Sequence, residues 1–316
     1  MEHFTQELFN RGLARASIRA YSSGKSRYIA FCEQYNLPPI PVSERVACLF
    51  VAFLAHQGLK PQSISSYLSA VRHLQVSAGL NPTLRAHWPR LQYVLRGVKR
   101  SQDAAPQRVR LPITAGVMHR LQGVWAQAPV ANQFEATLLW AASCLGYFGF
   151  MRAGEFTMTD PRESPAIQSS DVSVYLHTNP SILRIFLRRA KMDPFGKGVY
   201  VCVGRTNSSL CPVAAILGYL AIRPPGRGPL FIFRDGTPLT RDRFVREGRA
   251  ALSAALIDHH AYSGHSFRIG AATMAAQAGL PPQLFKMLGH WSLDAYQLYI
   301  RTPREALAAV SHTIAQ

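Results

Sequence analysis

Apolar residues recur with a helical period through the first hundred residues of the chain. Over residues 61–79 they follow the i, i+3, i+4, i+7 rule from Ile64 onward, which is typical of one buried helix face. The four predicted helices begin near Ser17, Ser43, Pro61 and Trp88. Residues 1–99 are therefore predicted to form an all-helical domain.

The pattern changes after a stretch without periodicity, residues 100–112, which contains two prolines and three arginines and is predicted to be a linker. Beyond it, residues 113–316 are predicted to form a mixed domain. Helices are predicted after Thr114, Pro212 and Thr240, over 132–148, 266–278, 282–288 and 292–300, and in a tail helix over 304–314. Strands are predicted over 171–176, 181–190 and 199–203, the last two joined by turn residues 193–198 into a hairpin. The fold class is mainly α with a small antiparallel β-sheet in the second domain.

Composition narrows the class of partner. The 316 residues are 48% hydrophobic and only 16% charged, yet the net charge is +18. A folded chain with such a cationic excess is expected to bind a polyanion, either nucleic acid or an anionic membrane surface. The longest apolar stretch, 138–151, has 14 residues, whereas a membrane span needs about 20, so a buried core helix is predicted there.

Cysteine usage points inside the cell. The five cysteines are odd in number and form no CxxC pair, as expected of reduced core residues. The first ten residues carry two glutamates and no apolar run, so no secretion signal is predicted.

Several cations are candidates for a DNA-facing surface, against the alternative of an ordinary solvated face. They are Lys25, Arg72, Arg96, Lys99, Arg100, Arg108, Arg110 and Lys197.

Arg152 directly follows the long apolar stretch, and Glu155 stands three residues later. A charge in that position is costly unless it meets an anion. One interpretation is an arginine satisfied by Glu155 or by helix carbonyls; the other is a binding site for an external anion. Lys191, at the lip of the predicted hairpin, is either a solvated loop lysine or a proton donor to a leaving oxygen. A lysine ammonium can give up a proton in this role, whereas an arginine guanidinium cannot do so at neutral pH.

His265 and Arg268 stand three apart at a predicted helix start, beside free backbone N–H groups, which is an anion-binding arrangement. The neighbouring His259 and His260 suggest a metal site. We expect none, because no aspartate or cysteine with suitable spacing joins them and no H-E-x-x-H motif is present.

Two tyrosines, Tyr296 and Tyr299, follow the sequence Leu288-Gly289-His290-Trp291. The usual role of a tyrosine is to pack in the core. Near arginines and histidines, however, a phenolate is favoured and is able to attack phosphorus. No GxSxG or Cys/His arrangement offers a rival nucleophile.

Taken in order, Arg152, Lys191, His265-x-x-Arg268, His290 and Tyr299 resemble the active-site signature of the tyrosine recombinase (phage integrase) family. The tyrosine there follows the Gly-His pair by nine residues, which selects 299 over 296. Arg152-Ala-Gly-Glu155 resembles the first arginine box, and Lys191 matches the hairpin lysine. The segments GHSFRIGAATMAAQAGLP and GHWSLDAYQLYIRTP are most similar to the DIRS/Ngaro-like retrotransposon branch.

The resemblance implies a role for each position. Tyr299 would attack the scissile phosphodiester, Arg152 and Arg268 would hold its non-bridging oxygens, and Lys191 would protonate the leaving oxygen. His265 would act as base or hydrogen-bond partner, and His290 would contact the phosphate. Glu155 would orient the first arginine. No metal or cofactor is expected.

The resemblance also implies a helical core-binding domain and a catalytic domain that form a C-shaped clamp on double-stranded DNA. A tetramer on DNA, docking of the tail helix 304–314 onto a neighbouring protomer, and nuclear residence would follow. Two alternatives stay open: a type IB topoisomerase, and a domesticated DNA-binding protein that no longer cleaves.

Overall fold

The computed structural model of the protein describes residues 1–81, 88–102, 109–160, 167–175, 181–190, 193, 195–289, 291 and 295–301. The chain divides into two compact units, Met1–Gln107 and Arg108–Gln316. The predicted tail helix 304–314 lies outside the described residues.

The first unit is all helical in its described residues. Its helices are α1 (Glu2–Arg11), α2 (Arg15–Gln34), α3 (Glu44–His56), α4 (Pro61–Ser77) and α5 (Pro89–Gln102). Ser43 caps α3 by accepting a hydrogen bond from the Val46 N–H, and Pro61 occupies the first turn of α4, as predicted. The core contains fully buried side chains from the middle three helices, among them Tyr28, Phe50 and Ile64.

Three details of this unit differ from the prediction. Helix α1 was not predicted, because its Phe4 and Leu8 lie on an exposed face rather than on a buried stripe. Helix α2 begins at Arg15 and not at Ser17, since Ala14 occupies the cap position and good helix formers precede Ser17. Helix α5 continues to Gln102, three residues into the predicted linker, where the Gln102 side chain donates to the Leu59 carbonyl at 3.0 Å.

The second unit combines helices with one sheet. Its helices are α6 (Ala115–Ala126), α7 (Gln133–Phe148), α8 (Ala153–Phe156), α9 (Pro212–Ile222), α10 (Arg241–Ala254), α11 (Ser266–Gln277) and α12 (Pro282–Gly289), with 3-10 turns that include Ala295–Tyr299. Thr114 and Thr240 cap α6 and α10 as predicted. Helix α7 is buried almost all round and forms the centre of the core. The four-residue helix α8 was not predicted, because it is too short to show a period.

The strands β1 (Val172–Tyr175), β2 (Ile182–Leu187) and β3 (Val199–Gly204) form an antiparallel sheet in the order β1-β2-β3. Ile185 pairs with Val172 on one side and with Val201 on the other. Leu183, Ile185 and Leu187 are fully buried, so the inward face is the apolar one. The predicted fold class, mainly α with a small antiparallel sheet, is confirmed. Among the described helices, none is long and apolar enough to span a bilayer.

Candidate active site

The structure brings five of the predicted site residues together in the second unit: Glu155 and four predicted catalytic residues. Arg152 precedes α8, His265 and Arg268 start α11, and Tyr299 ends the 3-10 turn that follows α12. Lys191, His290 and Arg108 lie outside the described residues.

Arg152 is held by Glu155. Its guanidinium pairs with one carboxylate oxygen at 2.7 Å, and its backbone N–H donates to the other at 2.8 Å. Glu155 is buried, while Arg152 keeps a small exposed fraction. The sequence left open whether Arg152 meets Glu155 or an external anion. The structure shows the internal pair, which uses one of the five guanidinium N–H donors; the guanidinium forms no other hydrogen bond with the residues that the structure describes.

Arg268 is the largest fully buried side chain among the residues that the structure describes, with 0% of its surface exposed. Its terminal nitrogens donate to two main-chain carbonyls, those of Phe150 and, at 2.5 Å, Gly289. Its Nε is buried without a hydrogen-bond partner in the described part of the chain. A buried guanidinium bonded to carbonyls, and not directly to a carboxylate, keeps a positive charge for which an anion is the natural complement.

The charge of Arg268 persists at neutral pH. Burial, followed by repulsion from Arg152, lowers the pKa of Arg268 to about 10, while Glu155 and the phenol of Tyr299 act in the opposite direction. Two guanidiniums that repel one another therefore share a site in which the one described carboxylate is that of Glu155. Such an arrangement favours a ligand with negative oxygens, which would relieve the repulsion.

Trp291 is the aromatic centre of the site. The guanidinium carbon of Arg268 lies 4.1 Å from its ring centroid, and the ring of Phe150 meets it edge-on at 6.1 Å. Both tyrosines also contact it, Tyr299 with ring centroids 5.3 Å apart and Tyr296 with centroids 6.3 Å apart. Trp291 fixes the plane of Arg268 by a cation–π contact.

The two tyrosines differ in what else they reach. Tyr299 lies with its ring centroid 5.2 Å from the Arg268 guanidinium carbon and is half-buried. Tyr296 is 7% exposed. A nucleophile must reach both the cations and an incoming strand, so the geometry favours Tyr299, the residue that the motif spacing also selects.

His265 occupies the turn before α11 and is half-buried. Burial first, and then the charges of Arg110, Arg241, Arg152 and Arg268, lower the pKa of His265. Its imidazole is therefore held neutral at physiological pH, which is the form that accepts a proton or a hydrogen bond.

Three residues of the site were missed or assigned differently from the sequence. Arg110 was expected as a DNA contact in a linker, and Arg241 and Trp291 were not singled out. Trp291 was visible beside the Gly-His pair, and Arg241 beside the Thr240 cap. Their proximity to His265 and Arg268, however, is set by tertiary contacts that local spacing does not show.

The other predicted DNA contacts lie on surfaces. In the first unit Arg72, Arg96, Lys99 and Arg100 are exposed and Lys25 is half-buried, with Nζ 3.5 Å from the Ser77 hydroxyl. In the second unit Arg110 and Lys197 are exposed. The Lys197 backbone N–H donates to Asp193 at the hairpin turn, at 3.0 Å.

His259 and His260 have an acidic neighbour after all. Side-chain ligand atoms of Asp258, His259 and His260 lie within 4.8 Å of one another. The expectation that no aspartate joins the two histidines is wrong, because Asp258 directly precedes them and caps their 3-10 turn.

Comparisons with known proteins give the context of this site. No protein-family model matches the chain. In sequence it is 24% identical over 276 residues to an "Integrase/recombinase xerD homolog" of Selenomonas ruminantium, covering 83% of this chain and 74% of the relative.

Solved structures share its fold. XerH site-specific recombinase bound to its palindromic difH substrate matches with a TM-score of 0.65 and 12% identity, covering 95% of this chain and 78% of that one. The Tn1549 transposon integrase in complex with circular intermediate DNA matches with a TM-score of 0.58 and 16% identity, covering 98% and 97%. A lambda integrase dimer bound to a core site matches with a TM-score of 0.57 and 16% identity, covering 95% and 75%. The resemblance to recombinases and integrases is thereby confirmed, whereas its DIRS/Ngaro branch stays a prediction.

Proposed function

We propose that this chain is a tyrosine recombinase, an enzyme that cleaves and rejoins DNA strands through a 3′-phosphotyrosyl intermediate. One observation carries the proposal: the ring of Tyr299 lies against the guanidinium of the fully buried Arg268. Arg152, which repels Arg268, and His265 complete the same site. A phenol, two guanidiniums and a neutral imidazole together match the needs of phosphoryl transfer to tyrosine.

The reaction divides among these side chains. The phenolic oxygen of Tyr299 forms a bond to phosphorus as the bond from phosphorus to the 5′-oxygen breaks. Arg152 and Arg268 donate to the non-bridging oxygens, where negative charge grows in the transition state. His265, neutral and half-buried, accepts the phenolic proton or a hydrogen bond. Glu155 sets the orientation of Arg152 through its two contacts.

Two further roles rest on the sequence motifs. Lys191 protonates the departing 5′-oxygen, and His290 contacts the phosphate. Because the phosphotyrosine conserves the energy of the broken ester, a 5′-hydroxyl reverses the step by attacking phosphorus and releasing the tyrosine. Cleavage and rejoining therefore need neither a metal ion nor a nucleotide.

The finer assignment is integration of a DIRS/Ngaro-like retrotransposon DNA in the nucleus, supported by the two motif segments around His265 and Tyr299. Strand exchange then proceeds in a tetramer through a Holliday intermediate. The two units would clamp double-stranded DNA, and the tail helix 304–314 would dock onto a neighbouring protomer. The exposed cations of α5, Arg96, Lys99 and Arg100, supply phosphate contacts from the first unit.

The test is capture of a covalent complex on DNA. The full chain is mixed with a random-sequence duplex library in which each duplex carries one nick, so that a short cleaved fragment diffuses away and traps the adduct. Complexes that resist denaturation are recovered and their DNA is sequenced, which also yields a preferred site. The matched variants are Tyr299→Phe and Tyr296→Phe.

The proposal predicts adducts with wild type and Tyr296→Phe, and none with Tyr299→Phe, although that variant still binds DNA. A persistent adduct in Tyr299→Phe would move the nucleophile to another residue. Binding without any adduct in wild type would favour a domesticated DNA-binding protein. Relaxation of supercoiled DNA without strand exchange would favour a type IB topoisomerase.

A further inference from the structure

A second group of cations adjoins the site. A cleft of about 710 Å³ runs beside α10 and the turn before α11, and its lining includes Arg241, Arg246, Arg249, Asp242, His259 and Gly264. Gly264 directly precedes His265, so the cleft opens next to the candidate catalytic histidine. The proposed mechanism does not use this cleft.

Arg241 is anchored close to the Arg152 segment. Its backbone N–H donates to the Met158 carbonyl at 3.0 Å, which ties the start of α10 to the residues after α8. Gly264 fills the space between these helices: a methyl group there would lie 2.8 Å from the Ala153 side chain and 3.3 Å from that of Val245. The turn that carries His265 is thus packed between α8 and α10.

Arg110 is anchored to the same turn from another segment. The Leu111 N–H donates to the Ala261 carbonyl at 3.0 Å, and the Ile113 N–H donates to the Ser266 carbonyl at 2.9 Å. These bonds hold the segment beside the residues on both sides of His265. The charges of Arg110 and Arg241, like those of Arg152 and Arg268, lower the pKa of His265, in agreement with these main-chain anchors.

The arginines around His265 differ in what occupies them. Arg249 donates to the Tyr262 carbonyl at 3.1 and 3.2 Å, and Arg246 pairs with Glu247 at 3.3 Å. Arg110 and Arg241 are exposed, and neither side chain forms a hydrogen bond or ion pair with the residues that the structure describes. Asp242, an acid of the cleft, lies in the first turn of α10, where the helix dipole favours its charge. The side chains of Arg110 and Arg241 are therefore available to bind an external anion.

We propose that Arg110 and Arg241 bind a second phosphate of the cleaved DNA strand, adjacent to the phosphate that Arg152 and Arg268 hold. The inference rests on the proposed function and adds to it a substrate contact. Successive phosphates of one strand recur every 3.4 Å or so along the duplex axis, so a strand seated on one arginine pair presents its next phosphate to a neighbouring pair. The contact positions the strand for Tyr299 and takes no part in bond breaking.

The experiment removes charge from one phosphate and one arginine at a time. Substrates are prepared from the captured site, each with a neutral methylphosphonate at one position on either side of the scissile phosphate. Adduct formation is timed for wild type, Arg110→Ala, Arg241→Ala and the control Arg246→Ala, which removes a cleft arginine already paired with Glu247. Circular dichroism and urea denaturation confirm that each variant folds.

Wild type is expected to slow by about 10-fold or more with methylphosphonate at one flanking position, as for the loss of a charge-assisted contact. In Arg110→Ala and Arg241→Ala the unmodified DNA reacts at that reduced rate, and methylphosphonate at the same position has little further effect. Each variant also makes the negative slope of log Kobs for DNA binding against log salt concentration shallower by about 1. Arg246→Ala keeps the wild-type sensitivity.

The inference is overturned if methylphosphonate at every flanking position slows both arginine variants as much as it slows wild type. This holds even if the variants react more slowly on unmodified DNA because loss of the arginine changes the pKa of His265. It is also overturned if Arg246→Ala removes the sensitivity as well, because the cleft then acts only as a diffuse positive field. Failure of the proposed function is recognised separately, since wild type would then form no adduct on any duplex.

Discussion

The guanidinium of Arg268 contacts two neighbouring rings, with its carbon 4.1 Å from the centroid of Trp291 and 5.2 Å from that of Tyr299. The same side chain donates to the carbonyls of Phe150 and Gly289. Arg268 therefore joins α11, the end of α7 and the segment that bears the tyrosine. Its position explains how a fully buried cation can belong both to the core and to the candidate active site.

Replacing Arg268 by lysine tests that dual role. Lysine lacks the planar fork, so at least one of the two carbonyls loses its donor, which costs about 1–3 kcal/mol of unfolding free energy. Adduct formation should fall by about 10²-fold or more, because the transition-state contact to a phosphate oxygen is lost. Urea denaturation and timed adduct formation measure the two effects. A rate close to that of wild type would exclude Arg268 from the reaction.

The ion pair of Arg152 and Glu155 is expected to act through orientation. In Glu155→Gln the buried carboxylate that accepts from both the guanidinium and the backbone N–H is gone, so unfolding free energy falls by about 1–3 kcal/mol. The adduct rate falls as well. The double variant with Arg152→Lys should show non-additive rates, since the two residues act as one unit. Strictly additive effects would contradict this.

His265 gives the protein a defined pH response. Its pKa is lowered in the folded chain by burial and by Arg110, Arg241, Arg152 and Arg268. The unfolded chain therefore binds the proton more readily, and stability decreases as the pH falls below the ordinary value of 6.5. The loss is complete once the pH is below the lowered folded-state pKa.

NMR of labelled histidine measures that pKa directly. Arg241→Ala should raise it toward the ordinary value, because a repelling charge is removed, and should move the acidic limb of the adduct rate in the same direction. Arg227→Ala, in an exposed loop, serves as the control and should leave it unchanged. An imidazole that already titrates at its ordinary pKa in wild type would refute the assignment.

Gly289 allows Trp291 to pack against Arg268. A methyl group at Gly289 would lie 2.0 Å from the nearest ring carbon of Trp291, so Gly289→Ala must displace the ring. We expect a loss of about 1–3 kcal/mol in unfolding free energy and slower adduct formation. Gly123→Ala in α6, where nothing lies within 4 Å, should be neutral or stabilising by up to about 1 kcal/mol. Equal behaviour of the two variants in urea would argue against the packing role.

Local chemistry made much of the fold predictable. Ser43, Thr114 and Thr240 cap helices in the structure because their oxygens accept from backbone N–H groups that have no helical partner. The alternation in β2 placed Leu183, Ile185 and Leu187 on the buried face. These features depend on residues only a few positions apart.

The remaining features depend on contacts between distant segments. Nothing near Arg110 in the sequence shows that Leu111 and Ile113 bond to the turn around His265, 150 residues or so later in the chain. The stacking of Trp291 on Arg268 likewise needs α11 and α12 to be assembled. Motif order predicted the arginine, histidine and tyrosine positions. The charges around them depend on the tertiary structure and could not be predicted from the motifs.

The most direct measurement identifies the atom that links protein to DNA. A denaturation-resistant complex is digested with nuclease and protease, and tandem mass spectrometry locates the residue that carries the remaining nucleotide. We expect a phosphate ester on the phenol of Tyr299, joined to the 3′-carbon of the nucleotide. A nucleotide on Tyr296 or on any other side chain, or a link through the 5′-oxygen, would contradict it.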